Sequence, residues 1–491
     1  MLYTSVDHTD DSIKHFCGVA GIYSKRKKNL PSTMFFPLFS LQHRGQESAG
    51  IAYRKPDKTV VYKDLGMVSS VLSHYLESDH PTNLCIGHVR YSTHGGNKLE
   101  NSQPISVKCN KGEIALAHNG NISNTQKIKG RLFDEGSIFQ TSSDTELILH
   151  LISRSRENSF FEALYASLQE IEGAYSMVLL HDDSLMAVRD PRGFRPLYIG
   201  QKDDIYVCAS ETCALDILKI REYREVEPGE IITINERGLK SDFLPSRGSI
   251  SQCVFELIYF ARPDSQVFKR SVYQKRKLMG RALAASDKKS GSLIGDIVVP
   301  VPDSGTIAAL GYAEEAGLPF DLGLTRNHYA GRSFILPSTP ERELAVRMKL
   351  HPVVESIKGK RVILIDDSLV RGTTSKILVN LLKDSGAKEV HLRLSSPELK
   401  WPCFFGIDIP TRKELISNHL CPEEIAVETG ADSVRFLTIN ELKLCLEEPE
   451  HYCYACFSGR YTCPVHFEKR DLLENDYAQD PAVMEFVNEH T

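Results

Sequence analysis

The sequence predicts two folding units in series, a sheet-rich α+β unit followed by an α/β unit built on a parallel sheet. Two observations predict this. From Cys17 to about Tyr206 the chain runs in short apolar segments broken by Gly and Asn, among them CGVAGIY, NLCIGHVRYST, GEIALAHNG, GAYSMVLLHD and SLMAVRD. Apolar–polar alternation over short runs, repeated this often, argues half-buried strands gathered into sheets. From about Gly291 the texture changes to continuous apolar strand, glycine-bearing turn and helix, as in GDIVVPVPD, GTIAALGYAEEAG and PFDLGLTRN, and again in KRVILIDD, TTSKILVNLLKDSGA and KEVHLRLS. Strands apolar on both faces, with helices between them, indicate a parallel sheet covered on both sides. Ligands of such sheets sit beyond the strand C-termini.

Helices interrupt the first unit. In SSDTELILHLISRS the Ser143 to Glu146 spacing predicts a capping box, with Leu147, Ile148, Leu151 and Ile152 as the buried stripe. TCALDILKI reads as a second, shorter helix. The turns of VEPGEIITINERG and SDFLPSRGS end the first unit near Gly248, so the boundary is set between 17–250 and 251–491. After Leu437 the chain is rich in Glu, Cys and aromatics and is expected to pack as short helices and loops.

Composition narrows the function classes. The 491 residues are 41% hydrophobic and 25% charged, with 23 Pro and 32 Gly, which excludes a collagenous or wholly disordered chain. A formal charge of -5 offers no bulk attraction to nucleic acid or an anionic membrane. No apolar run approaches a bilayer-spanning length, and Val298 to Val301 is interrupted by Pro300. The first residues, MLYTSVDHTDDSIKHF, carry Asp7, Asp10 and Asp11 and no apolar core, so they match neither a secretory nor a basic organelle signal, and a cytoplasmic protein is expected. Twelve cysteines are too sparse for a disulfide scaffold.

Chemistry concentrates in a few blocks. Cys17-Gly18-Val19-Ala20-Gly21-Ile22 is followed by His43-Arg44-Gly45-Gln46-Glu47-Ser48-Ala49-Gly50, then by Gly87-His88-Val89-Arg90-Tyr91-Ser92-Thr93, His118-Asn119-Gly120-Asn121-Ile122 and Ser143-Asp144-Thr145-Glu146. In this order the blocks resemble the glutaminase domain of the N-terminal-nucleophile amidotransferases, over roughly residues 17 to 240. The resemblance implies a four-layer sandwich, and a propeptide covering residues 1–16. A thiol titrates near ~8.5 and an α-amine near ~8, so a free amine on Cys17 could take the thiol proton, whereas a peptide nitrogen could not. Removing Met1 to Phe16 would therefore create the base. The resemblance makes Cys17 the nucleophile, with the Asn119 side chain and the Gly120 N–H as oxyanion donors. It makes Arg90 and Asp144 the grips on the glutamine α-carboxylate and α-ammonium, a guanidinium fork meeting the carboxylate and a carboxylate meeting the amine. His88 is read as structural.

The second unit carries Asp366-Asp367-Ser368-Leu369-Val370-Arg371-Gly372-Thr373-Thr374-Ser375 at the end of the strand Arg361 to Ile365. Gly372 permits a tight turn, hydroxyls and backbone N–H groups can ring a phosphate, and the following helix points its positive end there. The lysine of a nucleoside-triphosphate loop is missing. The segment resembles instead the phosphoribosyl pyrophosphate motif of the type I phosphoribosyltransferases. That resemblance implies that Asp366 and Asp367 hold the ribose hydroxyls, and that Ser368, Arg371, Gly372, Thr373 and Thr374 surround the 5-phosphate. Asp303, Ser304 and Gly305 match the pyrophosphate loop. Arg326, Tyr329 and Arg332 match a loop that closes over the sugar phosphate, with Gly331 as hinge, and Lys349 follows beside Arg347. Mg²⁺ is implied on the pyrophosphate, near Ser304, Asp366 and Asp367, since a hard ion suits oxygen ligands.

Cys453-Tyr454-Ala455-Cys456 is a CxxC, with Cys463 after it and Cys253 and Cys403 far upstream. Four dispersed thiolates suit zinc or a [4Fe-4S] cluster equally well. The resemblance to the propeptide-bearing, iron-sulfur branch implies a [4Fe-4S] cluster on Cys253, Cys403, Cys453 and Cys456, with Cys463 spare. Taken together, the two halves resemble the glutamine phosphoribosylpyrophosphate amidotransferase family. Membership implies glutamine and phosphoribosyl pyrophosphate as substrates, purine nucleotides as inhibitors and a homotetramer. The competing reading is a nucleotide-sensing regulator that keeps a phosphoribosyl-binding fold and contacts DNA. Acidic charge and the lack of a helix-turn-helix weigh against it.

Overall fold

The computed structural model describes residues 17–91, 98–328, 346–407, 409 and 411–464. The leader 1–16, Tyr329, Gly331 and Arg332 lie outside the described residues.

The alternating segments of the first half pair into two antiparallel sheets. Gly18–Lys28 lies in the middle of a seven-stranded sheet, between Ile205–Ala209 and Thr82–Arg90. Tyr198–Lys202 and Glu222–Glu225 extend one side, Ser48–Lys55 and Lys58–Leu65 the other. The second sheet has six strands, in the order Gly238–Phe243, Glu230–Asn235, Ser184–Arg189, Gly173–His181, Gly112–Ile122 and Ile105–Cys109. Alternate residues of both sheets meet in a dry layer that includes Val19, Ile86, Ala117, Val178, Leu180 and Ala187. The opposite faces are covered by helices, Leu30–Ser40 on the seven-stranded sheet and Asp144–Arg154 with Phe160–Glu170 on the six-stranded one. Helix, sheet, sheet and helix make the expected four layers.

Ser143 caps Asp144–Arg154 as expected, but its hydroxyl accepts from the Thr145 N–H at 3.2 Å. Glu146 does not close the box. Its carboxylate accepts from Gln140 N and Thr141 N at 2.8 and 2.7 Å, pinning the incoming loop instead of the helix end.

The second half contains the parallel sheet, in the order Ile297–Pro300, Arg361–Asp366, Glu389–Leu394 and Ser433–Phe436. Because strand side chains alternate faces, Val362 and Leu364 pack with Leu378, Val379 and Leu382, while Ile363 and Ile365 pack with Met279, Leu283 and Tyr312. The helices Val272–Ser290 and Thr306–Ala316 thus cover one face, and Thr373–Asp384 with Pro422–Thr429 cover the other. The antiparallel unit followed by a parallel-sheet unit is the architecture expected from the residue pattern.

The two units are joined along a polar seam. Ser251 N and Cys253 N donate to the carbonyls of Arg192 and Phe194 at 2.8 and 3.1 Å. Asn121 Nδ2 donates to the Phe404 carbonyl at 2.8 Å, Ser123 Oγ to that of Pro464 at 3.2 Å, and Phe194 stacks on Phe405. Among the described residues no helix is long and apolar enough to cross a membrane.

Candidate active site

Cys17 stands immediately before the central strand of the seven-stranded sheet, where its Sγ lies 3.7 Å from the Tyr91 carbonyl. Burial pushes its thiol up; a backbone hydrogen bond at Tyr91 and the Arg90 guanidinium oppose this, while Asp144 and Glu47 add to it. Arg90 ends the neighbouring strand and is buried. Asp144 begins the helix that Ser143 caps, and its Oδ2 accepts from Ile122 N at 3.0 Å. Arg90 and Asp144 therefore both act on the sulfur, as two opposite charges at a half-buried thiol.

Asn119 and Gly120 arrive on the strand Gly112–Ile122 of the other sheet. Asn119 is buried, and its Nδ2 has no hydrogen-bond partner among the described residues. A buried amide left without an acceptor is costly, and such groups mark places where a ligand oxygen belongs. Gly120 has φ 148°, and a Cβ there would lie 2.0 Å from the Ala174 carbonyl oxygen, so no larger residue fits. The Gly406 backbone rests on it, since a Cβ at Gly406 would lie 2.9 Å from the Gly120 carbonyl carbon.

Behind these residues runs a hydrogen-bond chain that sequence reasoning missed. Gln103 Oε1 accepts from His118 N at 2.7 Å, and Gln103 Nε2 donates to Thr145 Oγ1 at 3.0 Å. His88 Nε2 sits 3.1 Å from the His118 carbonyl oxygen. Burial pushes His88 down to about 3, which keeps it neutral and matches a structural role. A second missed group is the buried charge cluster of Arg44, Arg195, Glu211 and Glu256 at the seam. Its signal was legible in part, as a glutamate inside the apolar run VFELIYF.

In the parallel-sheet unit, Asp366 ends one strand and Asp303-Ser304-Gly305 follow its neighbour, Ile297–Pro300. Ser304 Oγ donates to Asp366 Oδ1 at 3.3 Å, and Asp367 N donates to the same oxygen at 2.8 Å. Burial, and then the Asp367 charge, pushes Asp366 well up; burial raises Asp367 against the pull of Ser304, Ser368 and Arg276. Gly372 occupies the cap before Thr373–Asp384 with φ 82°, in the left-handed region. Thr373 and Thr374 form the first turn, where backbone N–H groups have no intrahelical acceptor. Arg371 donates to Glu414 at 2.7 Å and Arg326 to Asp303 at 2.6 Å. Lys349 is paired through its carbonyl, which accepts from Asn327 N at 2.7 Å. The structure thus brings Ser304, Asp366, Asp367 and Ser368 together, and sets Arg326 beside Asp303.

Residues 88–216 match a family described as a glutamine amidotransferase domain. Amidophosphoribosyltransferase 1 of Arabidopsis thaliana, a chloroplastic protein, is 44% identical over 485 residues, which is 98% of this chain and 85% of the relative. The chain belongs to the amidophosphoribosyltransferase family. The Bacillus subtilis amidophosphoribosyltransferase is 43% identical, over 92% of this chain and 94% of its own. A solved structure of the B. subtilis glutamine phosphoribosylpyrophosphate amidotransferase, complexed with ADP and GMP, superposes with a TM-score of 0.85 at 42% identity, covering 92% of this chain and 98% of that one.

Within the amidophosphoribosyltransferase family, the metal expectations need correction. Among the described residues no group of three or more His, Cys, Asp or Glu is placed to hold a metal ion. This overturns the [4Fe-4S] cluster on Cys253, Cys403, Cys453 and Cys456, and with it the assignment to the iron-sulfur branch. Cys253 and Cys453 do meet, as partners in a two-stranded parallel ribbon, and Phe405 N donates to Cys403 Sγ at 3.3 Å. Cys253 and Cys456 nevertheless belong to the apolar core, where burial pushes Cys253 up to about 12 and raises Cys453 and Cys456 as well. At Ser304, Asp366 and Asp367 two carboxyls stand together, with the Ser304 hydroxyl donating to Asp366 Oδ1.

Proposed function

We propose that this amidophosphoribosyltransferase transfers glutamine-derived ammonia to 5-phosphoribosyl 1-pyrophosphate, giving 5-phosphoribosylamine, pyrophosphate and glutamate, the first committed step of purine synthesis. The observation that carries the reading is the unpartnered Asn119 amide, on the strand whose Ile122 N–H donates to Asp144, the carboxylate that with Arg90 acts on Cys17. Attack of the Cys17 sulfur on the glutamine amide puts negative charge on the carbonyl oxygen, and Asn119 Nδ2 with the Gly120 N–H would receive it. Collapse of that adduct releases ammonia and leaves a thioester, which water cleaves to glutamate. Ammonia then displaces pyrophosphate at C1 of the sugar, whose 5-phosphate would lie at Ser368, Arg371, Gly372, Thr373 and Thr374 and whose hydroxyls would face Asp366 and Asp367. Arg326, Tyr329, Arg332 and Lys349 would face the sugar phosphate, with Asp303, Ser304 and Gly305 on the pyrophosphate.

Removal of residues 1–16 belongs to this proposal. Burial raises the Cys17 thiol, so at neutral pH it needs a base, and the liberated α-amine is the nearest candidate. Intact mass of active protein tests it: a chain starting at Cys17 supports the reading, and a retained leader refutes it. The units 17–250 and 251–491, a cytoplasmic homotetramer and inhibition by purine nucleotides complete the proposal. The nucleotides are supported by the ADP and GMP named for the B. subtilis relative. The deciding assay measures release of glutamate and of pyrophosphate. Formation of phosphoribosylamine that requires both substrates, and that is lost from glutamine but kept from ammonia in Cys17→Ala, is the expected result.

A further inference from the structure

The residue that holds the nucleophile's own backbone is itself held from the other unit. Arg44 Nε donates to the Cys17 carbonyl at 3.2 Å. The rest of its guanidinium turns away from the site, Nη1 and Nη2 donating to the Glu256 carboxylate at 3.0 and 2.7 Å, and Nη1 also to Glu211. Arg44 and Glu256 are fully buried side chains. Glu256 opens the wide helical turn Glu256–Phe260, whose Leu257, Ile258 and Phe260 pack into the core of the parallel-sheet unit.

We infer that Arg44 is a positioning residue for the glutamine half-reaction, set by Glu256 of the parallel-sheet unit, so that the antiparallel sandwich alone does not complete its own nucleophile. This rests on reading Cys17 as that nucleophile. A planar fork with three bonded nitrogens has one orientation in which Nε meets the Cys17 carbonyl while both terminal nitrogens meet carboxylates. Removing the Glu256 carboxylate frees that orientation, and a displacement of the attacking atom near 1 Å is enough to cost about 100-fold in rate.

The tether is a buried charge cluster. Glu256 accepts from Arg195 Nη1 at 3.4 Å, and Glu211 pairs with His43 Nε2 at 2.7 Å and accepts from Ser265 Oγ at 2.7 Å and Arg262 N at 3.0 Å, so two buried guanidiniums and the His43 imidazole face two buried carboxylates. The turn that presents Glu256 is fastened on its other side by Arg276, which donates to the carbonyls of Leu257 and Ala261 at 3.0 and 2.7 Å. Arg276 also acts electrostatically on Asp367. A continuous set of bonds and charges thus runs from the Asp366-Asp367 turn to the Cys17 carbonyl.

Three variants of the full chain test the inference, each assayed with glutamine and, separately, with ammonia as nitrogen source. Arg44→Lys keeps a buried cation but loses the fork. Glu256→Gln keeps the shape but strands the guanidiniums. The double variant Arg44→Gln/Glu256→Gln removes one charge of each sign and leaves Arg195 and Glu211 in balance, so it keeps the fold if Glu256→Gln alone does not. The expected result is a kcat with glutamine lowered at least about tenfold, a glutamine KM changed less than about threefold, and ammonia-dependent synthesis retained, in Arg44→Lys and in the double variant. The inference is overturned if either variant turns over glutamine at the parental kcat, or if ammonia-dependent and glutamine-dependent activities fall in equal proportion. Wild-type and Cys17→Ala controls separate this failure from that of the underlying reading: a Cys17→Ala protein that still hydrolyses glutamine refutes the nucleophile itself.

Discussion

Ser304 Oγ donates to Asp366 Oδ1 at 3.3 Å across 62 residues of chain, closing together the two turns that follow neighbouring parallel strands. The bond joins the turn proposed to hold pyrophosphate with the turn proposed to hold the ribose. It also leaves the adjacent Asp367 carboxyl in a buried position where burial disfavours its charge. A positively charged or hydroxyl-rich ligand group relieves that cost.

Asp367→Asn is therefore expected to reduce phosphoribosylamine formation about 100-fold, and by the same factor whether nitrogen comes from glutamine or from ammonia. Steady-state assays with both sources check this, and a loss confined to glutamine would reassign the residue.

Arg90→Lys keeps the charge near Cys17 but replaces a fork by a point donor. The glutamine KM should rise at least about tenfold, since each lost charge-assisted hydrogen bond is worth about 1.5 kcal/mol or more. Ammonia-dependent synthesis should keep its kcat. Unaltered glutamine kinetics would remove Arg90 from the substrate carboxylate.

Asn119→Ala deletes an amide that has no partner in the resting protein, so its fold should persist. Transition-state stabilisation should be lost instead: kcat with glutamine falls about 100- to 1000-fold, while KM moves little. A variant losing stability rather than turnover would show that the amide is a packing group.

His88 supplies a pH dependence. Its folded pKa is pushed down to about 3 by burial, against about 6.5 in an unfolded chain. Between those values the unfolded chain binds a proton that the folded protein refuses, so stability is full above pH ~6.5 and falls as pH drops, by up to about 1.4 kcal/mol per unit. Urea midpoints measured from pH 7 down to 4 should fall less steeply in His88→Gln, which can still donate to the His118 carbonyl. Parallel curves for the two proteins would contradict a neutral buried imidazole.

Gly372→Ala forces a side chain into the left-handed region and places its Cβ 2.8 Å from Ile416 Cδ1. A loss of about 1 kcal/mol or more is expected, with a raised requirement for phosphoribosyl pyrophosphate. Thermal unfolding and substrate titration read the two effects separately.

Local chemistry was legible in the residues, and long-range chemistry was not. The strand–turn–helix rhythm around Asp366 and Gly372, and the helix cap at Ser143, depend on neighbours in sequence, and both units were visible for that reason. Glu146 was misread because a capping box and a loop clamp need the same residue at the same spacing, and only the path of Gln140 and Thr141 decides between them. The cysteines misled in the opposite way. CxxC spacing reports that Cys453 and Cys456 are near in the chain, but not whether the fold places three or more ligands to hold a metal ion, and among the described residues it does not. The Arg44–Glu256 pair spans 212 residues, and no periodicity links its ends.

Translation order makes the contact of Gly406 with Gly120 consequential. A ribosome delivers the strand Gly112–Ile122 long before the segment that covers it; Phe404, the partner of Asn121, emerges with that segment, and Pro464, the partner of Ser123, later still. The wall beside the donor pair is therefore built from chain synthesised nearly three hundred residues afterwards, so a nascent first half presents Asn119 and Gly120 beside an unfinished enclosure.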